Sequence, residues 1–112
     1  MVDYVVKALK KAGFKRPIVV VGYKGELVKK HLGKACQYVA QGKQLGTGHG
    51  VAVVKKILAG RPGATLTTYG DMPFWSTETL EGMIEPQALT GVVLVIASAE
   101  VGPDYAYGRI IR

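Results

Sequence analysis

The chain has 112 residues, 48% of them hydrophobic, and carries a formal net charge of +7. This length allows one domain at most, near the lower end for an α/β sheet covered on both faces. The single cysteine, Cys36, excludes a disulfide framework and is interpreted as a small buried hydrophobic residue. No apolar run approaches the roughly 20 residues of a transmembrane helix and no signal peptide is recognisable, so a cytoplasmic protein without membrane partners is expected.

Apolar periodicity and turn residues predict alternating helices and strands. The predicted helices, where apolar residues recur at helical spacing, are 2–12, 25–32, 49–59 and 76–84. The predicted strands, short apolar runs bounded by turn residues, are 18–21, 37–40, 64–69, 92–99 and 107–111. Strand 18–21 is all apolar, which is typical of a strand buried on both faces. The alternation indicates an α/β fold with a mostly parallel sheet.

The two ends of the chain differ from those of a complete doubly wound domain. The chain begins directly with a predicted helix and ends on a predicted apolar strand. Such a fold normally opens with a strand and a glycine-rich turn. We therefore interpret residues 1–112 as a partial domain, truncated at both ends.

Two polar, glycine-containing segments carry the strongest functional signal. The first, Q-G-K-Q-L-G-T-G-H-G at residues 41–50, opens the predicted third helix. The second, Y-G-D-M-P at residues 69–73, places Asp71 directly after the predicted strand 64–69. Open α/β sheets bind phosphorylated ligands and their metal ions at such helix starts and strand ends. The order and spacing of the two segments together predict a nucleotide-type site.

The positive charge is concentrated in lysine pairs on predicted helices, at residues 10–11, 29–30 and 55–56. Solvated helix faces explain them most simply, and a basic surface for an anionic partner is the alternative. The aromatic residues do not interleave with these lysines as a stacking platform would. Nucleic acid is therefore not the expected partner.

The same segments give the chain a resemblance to a known family. V-A-Q-G-K-Q-L-G-T-G-H-G is followed by Y-G-D-M-P, S-T-E-T-L and Y-G-R-I, and the earlier V-D-Y-V-V and P-I-V-V-V-G-Y-K-G-E-L-V agree too. From about Met1 to Arg112, the chain resembles the middle part of the uridylyltransferase domain of bifunctional N-acetylglucosamine-1-phosphate uridylyltransferases. These enzymes belong to the sugar-phosphate nucleotidyltransferases. The resemblance implies a three-layer, mostly parallel α/β sheet of the nucleotidyltransferase (Rossmann-like) type.

The resemblance also implies roles for individual residues. Gln41 would pair with the uracil edge, since a glutamine amide can donate and accept at once. Gly46 and Thr47 would contact the nucleotide through the backbone and a hydroxyl group. Asp71 would bind Mg²⁺, a cation that prefers oxygen ligands. Three further residues would line the cleft for the nucleotide and the sugar phosphate: Tyr69, Gly70 and Gly108.

The implied reaction joins UTP and N-acetylglucosamine-1-phosphate into UDP-N-acetylglucosamine, with release of pyrophosphate, in cell-wall precursor biosynthesis. Positioning, Mg²⁺ and cationic groups supply the catalysis, so no catalytic residue is assigned and His49 is given no role. The family's L-A-A-G-x-G-T-R-M loop has no counterpart here, and its G-Y-G is A-Y-G at residues 106–108. We therefore expect the chain alone to be weakly active or inactive.

Two other functions remain open from the sequence. One is a non-catalytic nucleotide-binding or structural remnant, and the other is a small basic protein that binds RNA or acidic partners. A homo-oligomer is also expected. In the strand order that the resemblance implies, the missing first strand would lie between strands 18–21 and 64–69, and its absence would leave a gap there. Backbone groups that face such a gap require hydrogen-bond partners.

Overall fold

The computed structural model describes residues 1–102, 104–105, 108 and 110–111. Two strands, β1 (Ile18–Val21) and β2 (Gln37–Ala40), pair in parallel, with Ile18 opposite Gln37 and Val21 opposite Ala40. A short 3-10 helix, Gly33–Ala35, precedes β2. The α-helices within the described residues are α1 (Val2–Lys11), α2 (Gly25–Leu32), α3 (Thr47–Ala52), α4 (Lys55–Leu58) and α5 (Thr77–Thr90). None of them is long and apolar enough to cross a membrane.

The predictions for the first 40 residues are confirmed, with helix ends that differ by one residue at most. Charges support α1 at both ends, since Asp3 lies in its first turn and Lys10 and Lys11 lie in its last. Glycines with positive φ follow the first two helices, Gly13 at 95° and Gly33 at 56°. A side chain disfavours that conformation, so glycine at these positions ends each helix where the sequence predicts.

The predicted helix 49–59 is instead two short helices, α3 and α4. The first begins two residues early, at Thr47, and a turn at Val53 and Val54 separates it from the second. Two glycines in α3 and two consecutive β-branched residues at the break all have weak helix propensity. Local propensity therefore interrupts an apolar pattern that favours one continuous helix.

The predicted helix 76–84 begins as expected and runs further, to Thr90. The Ser76 side chain accepts a hydrogen bond from the Thr79 backbone N–H at 3.1 Å, which caps the first turn. The helix continues through Pro86, a residue that ordinarily ends or kinks a helix. The hydroxyl of Thr90 donates to the Pro86 carbonyl at 2.6 Å, and Gly91, at φ 68°, forms the C-terminal cap.

Strands are absent at two places where the sequence predicts them. Residues 64–69 and 92–99 form no strand, and within the described chain the backbone of 64–70 forms no hydrogen bond with another segment. The edge of β1 that is not paired with β2 lines the same cavity as residues 64–70. Among the described residues, no backbone hydrogen bonds join this edge to residues 64–70. Segment 92–99 is almost entirely exposed, and Val93 is fully so. The predicted strand 107–111 includes Tyr107 and Arg109, which lie outside the described residues.

The fold class is therefore confirmed only in its coarser form. Mixed helices and a small parallel sheet agree with an α/β fold, while a three-layer sheet is not confirmed. β1 is less buried than predicted, because Val21 is buried and the other three residues are partly exposed. The Cα radius of gyration is 15.0 Å, larger than the roughly 13 Å expected of a compact domain of this length.

The core lies between α1, α2 and the sheet. It contains Val6, Leu32 and Cys36, with Val19 of β1 and Tyr38 of β2 packed against it. Cys36 is 1% exposed, and burial raises the pKa of its thiol. The interpretation of this cysteine as a buried hydrophobic residue is therefore confirmed.

Gly25 allows α2 to pack closely against the end of β1. It is buried, and a Cβ added there would lie 2.9 Å from Val21 Cβ and 3.0 Å from Val21 Cγ2. Cβ is fixed to the backbone, so a rotamer change of Val21 cannot relieve the contact. The absence of a side chain at position 25 thus sets the distance between the helix and the strand.

We expect Gly25→Ala to lower the free energy of unfolding by about 1–3 kcal/mol, the usual cost of overpacking. Urea unfolding followed by circular dichroism measures this change. Gly82→Ala is the matched control, since Gly82 lies inside α5 with no atom within 4 Å of its added Cβ. The control should raise stability by up to about 1 kcal/mol through helix propensity. Equal unfolding midpoints for the two variants would contradict the packing explanation.

Candidate functional site

A cavity of about 1060 Å³ lies beside β1 and contains most of the residues predicted to form the site. β1 forms one wall, residues 64–70 form another, and the apolar face of α1 contributes Val2, Val5 and Val6. The indole N–H of Trp75 donates to the Thr68 hydroxyl at 2.6 Å, which ties residues 64–70 to the start of α5. The cavity is therefore held by elements distant in the sequence.

The glycine-rich loop 41–46 and the start of α3 lie at the carboxyl ends of the two strands. Gln41 directly follows β2, and its backbone N–H donates to the Val21 carbonyl at 2.8 Å, which extends the parallel ladder by one bond. A Cβ on Gly22 would lie 2.5 Å from Gln44 Nε2, so the loop closes over the end of β1. This edge is where open α/β sheets bind ligands.

Five of the predicted site residues line this one cavity: Gln41, Gly46, Thr47, Tyr69 and Gly70. The two sequence segments, more than 20 positions apart, thus line one shared cavity. Gly70 lies against α1, because an added Cβ would be 3.5 Å from Val2 Cγ2. Tyr69 is 55% exposed and so remains accessible to a ligand.

Asp71 and Gly108 are not part of the described cavity lining. Asp71 follows Gly70 in a turn and is exposed. No group of three or more potential metal-binding side chains occurs among the described residues. Gly108 is exposed, and no described atom lies within 4 Å of an added Cβ. Its neighbours in the A-Y-G segment, Ala106 and Tyr107, lie outside the described residues.

The side chain of Gln41 makes two contacts within its own loop. Its Nε2 donates to the Gly46 carbonyl at 3.0 Å and lies 3.3 Å from Nδ1 of His49. His49 is partly buried in α3 and contacts Gln41, so it belongs to the surroundings of the site, although its sequence context predicts no role for it. The sequence could not predict this contact. His49 follows Gln41 by eight residues, and the two side chains come together only because of the conformation of the loop between them.

Cationic side chains at the cavity differ from the lysine pairs singled out in the sequence. Lys15, Arg16 and Arg61 line it, and the first two precede β1. The four residues of β1 span roughly 13 Å, which separates Lys15 and Arg16 from the loop at the other end of the strand. Most of the paired lysines are exposed, as a solvated helix face requires.

Comparison with known proteins gives consistent matches over the whole chain. Residues 1–108 match the family model of the MobA-like NTP transferase domain. The chain is 38% identical over 112 residues to the bifunctional protein GlmU of Exiguobacterium sibiricum, of which it covers 25%. The GlmU proteins of Geobacillus thermodenitrificans and Staphylococcus epidermidis are also 38% identical over 112 residues, with 24% and 25% covered. The chain thus spans about a quarter of the length of these relatives.

We expect Gly46→Ala to destabilise the protein by about 1–3 kcal/mol, because Gly46 has φ 96° and ψ 178°, a conformation that side chains rarely adopt. Gly48→Ala in the same segment is the control, since Gly48 has no positive φ and no atom within 4 Å of its added Cβ. Urea unfolding compares the two variants. A Gly46→Ala protein as stable as Gly48→Ala would show that the loop tolerates a different backbone.

Proposed function

The chain belongs to the MobA-like NTP transferase domain family, and on this premise we propose that it is the base-reading part of a UTP:N-acetylglucosamine-1-phosphate uridylyltransferase domain. The observation that carries the proposal is that Gln41, Gly46 and Thr47, which follow the carboxyl end of β2, line the same cavity as Tyr69 and Gly70. The likeness to GlmU proteins supports the choice of a uridylyltransferase. The corresponding product, UDP-N-acetylglucosamine, fits a cytoplasmic step of cell-wall precursor biosynthesis.

In this proposal the cavity residues bind and orient the two substrates. Gln41 reads the uracil, and Gly46 and Thr47 contact the nucleoside where a missing side chain allows close approach to the backbone. Tyr69 and Gly70 line the cleft for the nucleotide and the sugar phosphate, and Gly108 contacts the sugar phosphate. A phosphate oxygen of the sugar 1-phosphate attacks the α-phosphorus of UTP, and the bond to pyrophosphate breaks. The chain contributes by holding the reacting groups in line.

Asp71 is the proposed ligand for Mg²⁺. Protein Mg²⁺ sites commonly use one or two carboxylates together with substrate phosphates and water, so one exposed carboxylate beside Gly70 fits this mode. When bound, the ion would neutralise charge on the phosphate oxygens. The cationic side chains that line the described cavity are Lys15, Arg16 and Arg61, and the first two lie at the end of β1 away from the loop. We therefore propose that turnover by this chain alone is weak or absent.

We expect the chain to bind UTP weakly and in preference to ATP, because Gln41 reads the uracil and few groups hold the triphosphate. Isothermal titration calorimetry with both nucleotides and Mg²⁺ measures the preference. Gln41→Ala should reduce it by about tenfold, the effect of roughly one hydrogen bond. Asp71→Asn should weaken only the Mg²⁺-dependent part of UTP binding.

Two controls separate this result from nonspecific binding. Lys55→Ala on α4 lies outside the cavity lining and should leave the UTP preference unchanged. Binding that only tracks phosphate falls steeply with salt and does not distinguish bases. Equal affinity for UTP and ATP at moderate salt would overturn the proposed function.

We further propose that the chain forms a homo-oligomer in which a second copy fills the gap beside β1. The free edge of β1 and the backbone of residues 64–70 face the cavity without hydrogen bonds to each other. An unpaired strand edge of this kind can pair with a strand of another chain. The apolar segment 92–99 is exposed and has the length of a strand, so it is the proposed donor. Such pairing would enlarge the sheet towards the three-layer arrangement.

Sedimentation equilibrium at micromolar concentration tests this assembly. We expect a mass at least twice the 12.0 kDa of one chain. Val93→Lys should shift the equilibrium towards the monomer by placing a charge in the proposed donor strand. Val93 is fully exposed, so this substitution should leave the fold of the single chain intact. A compact monomer that melts cooperatively would contradict the proposal and indicate that the gap closes within one chain.

A further inference from the structure

We infer that Gln41 presents only its carbonyl oxygen to a bound base, and that His49 is the positioning residue which fixes this orientation. The inference rests on the proposed function, because it specifies how the proposed uracil-reading residue recognises its ligand. It also assigns a role to the histidine of the Q-L-G-T-G-H segment.

The first contact of the Gln41 side chain determines which end of its amide is nitrogen. The atom that faces the Gly46 carbonyl lies 3.0 Å from it. A carbonyl oxygen can only accept a hydrogen bond, so the opposing atom must be the donor Nε2 rather than the acceptor Oε1. The same carbonyl accepts a hydrogen bond from the Gly50 backbone N–H at 3.1 Å, so the first turn of α3 fixes the position of the Gly46 carbonyl.

The second contact determines the state of His49. Its Nδ1 lies 3.3 Å from Gln41 Nε2. An amide nitrogen has no acceptor capacity, so Nδ1 must be unprotonated and accept. This contact therefore requires the tautomer that carries its proton on Nε2. With one hydrogen bond, the side-chain amide of Gln41 could still rotate about that bond. Two hydrogen bonds from the same nitrogen fix the plane of the amide.

These two bonds use both hydrogens of the Gln41 amide. Oε1 forms no hydrogen bond with any other described residue, and Gln41 lines the cavity. The group left for a ligand is thus an acceptor. Uracil offers a matching N–H at its N3 position, whereas N3 of cytosine and N1 of adenine are acceptors. At this ring nitrogen the amide therefore favours uracil over cytosine and adenine by accepting, instead of donating and accepting at once.

The contact itself can be tested without a ligand by measuring the ¹⁵N shifts of the His49 ring. At about pH 8, above the usual histidine pKa of about 6.5, we expect Nδ1 to be the unprotonated nitrogen. The Gln41 side-chain NH₂ resonances should move in His49→Leu and return towards their original positions in His49→Asn, whose Oδ1 can accept in place of Nδ1. A protonated Nδ1, or unchanged Gln41 resonances in His49→Leu, would overturn the inference.

The consequence for recognition is tested by titrating UTP, CTP and 3-methyl-UTP, which lacks the N3 hydrogen. We expect the unaltered chain to prefer UTP over the other two by about tenfold, the effect of one hydrogen bond. His49→Leu should reduce this preference to about threefold or less, and His49→Asn should largely restore it. Circular dichroism checks that both variants are folded.

The possible outcomes distinguish this inference from the proposed function. If the chain binds UTP more tightly than ATP but no more tightly than 3-methyl-UTP, the inference is overturned and the uridylyltransferase proposal still stands. A full UTP preference in His49→Leu would overturn the role of His49. No preference of the unaltered chain for UTP over ATP would overturn both.

Discussion

The parallel pairing of β1 with β2 is the constraint on which the rest of the structure depends. It sets the register between Val21 and Ala40, and the next backbone bond, from Gln41 to the Val21 carbonyl, continues it into the loop. The glutamine therefore leaves the sheet at a fixed point and direction. Its side chain can then reach back to Gly46 and towards His49, which organise the loop. The pairing also leaves the other edge of β1 free, and that edge forms a wall of the cavity.

Sequence patterns predicted the part of the fold that local interactions determine. Residues 1–40 contain amphipathic helices ended by glycines and two strands that pair with each other, so every element has its partner within the segment. Residues 64–69, which are rich in threonine, and the apolar residues 92–99 also have sequences that favour strands, but they form none. A strand exists only where a neighbour completes its hydrogen bonds, and apolar composition cannot reveal whether that neighbour is present. Pro86 shows the converse, since favourable contacts at the end of α5 allow a helix to pass a residue that usually stops it.

Sequence reasoning could suggest residues for the candidate site but not the interactions between them. The resemblance to nucleotidyltransferases selected Gln41, Gly46 and Thr47, and these residues line the same cavity as Tyr69 and Gly70. It could not select His49, because a histidine inside a helical pattern is usually a packing residue. The contact depends on the turn made at Gly42 and Gly46, both with positive φ. The donor and acceptor roles of the Gln41 amide follow from this geometry, and sequence similarity alone cannot predict them.

The exposed segment 92–99 has a consequence for how the protein behaves at high concentration. It reads V-V-L-V-I-A-S-A, without proline or charge, and Val93, Leu94 and Ile96 are largely exposed. Short uncharged β-branched segments of this kind are typical of those that stack into cross-β aggregates. The net charge of +7 opposes that association by mutual repulsion between chains. Because dissolved ions screen such repulsion over about 10 Å at 0.1 M, the colloidal stability of this protein is tied to the ionic strength of its surroundings.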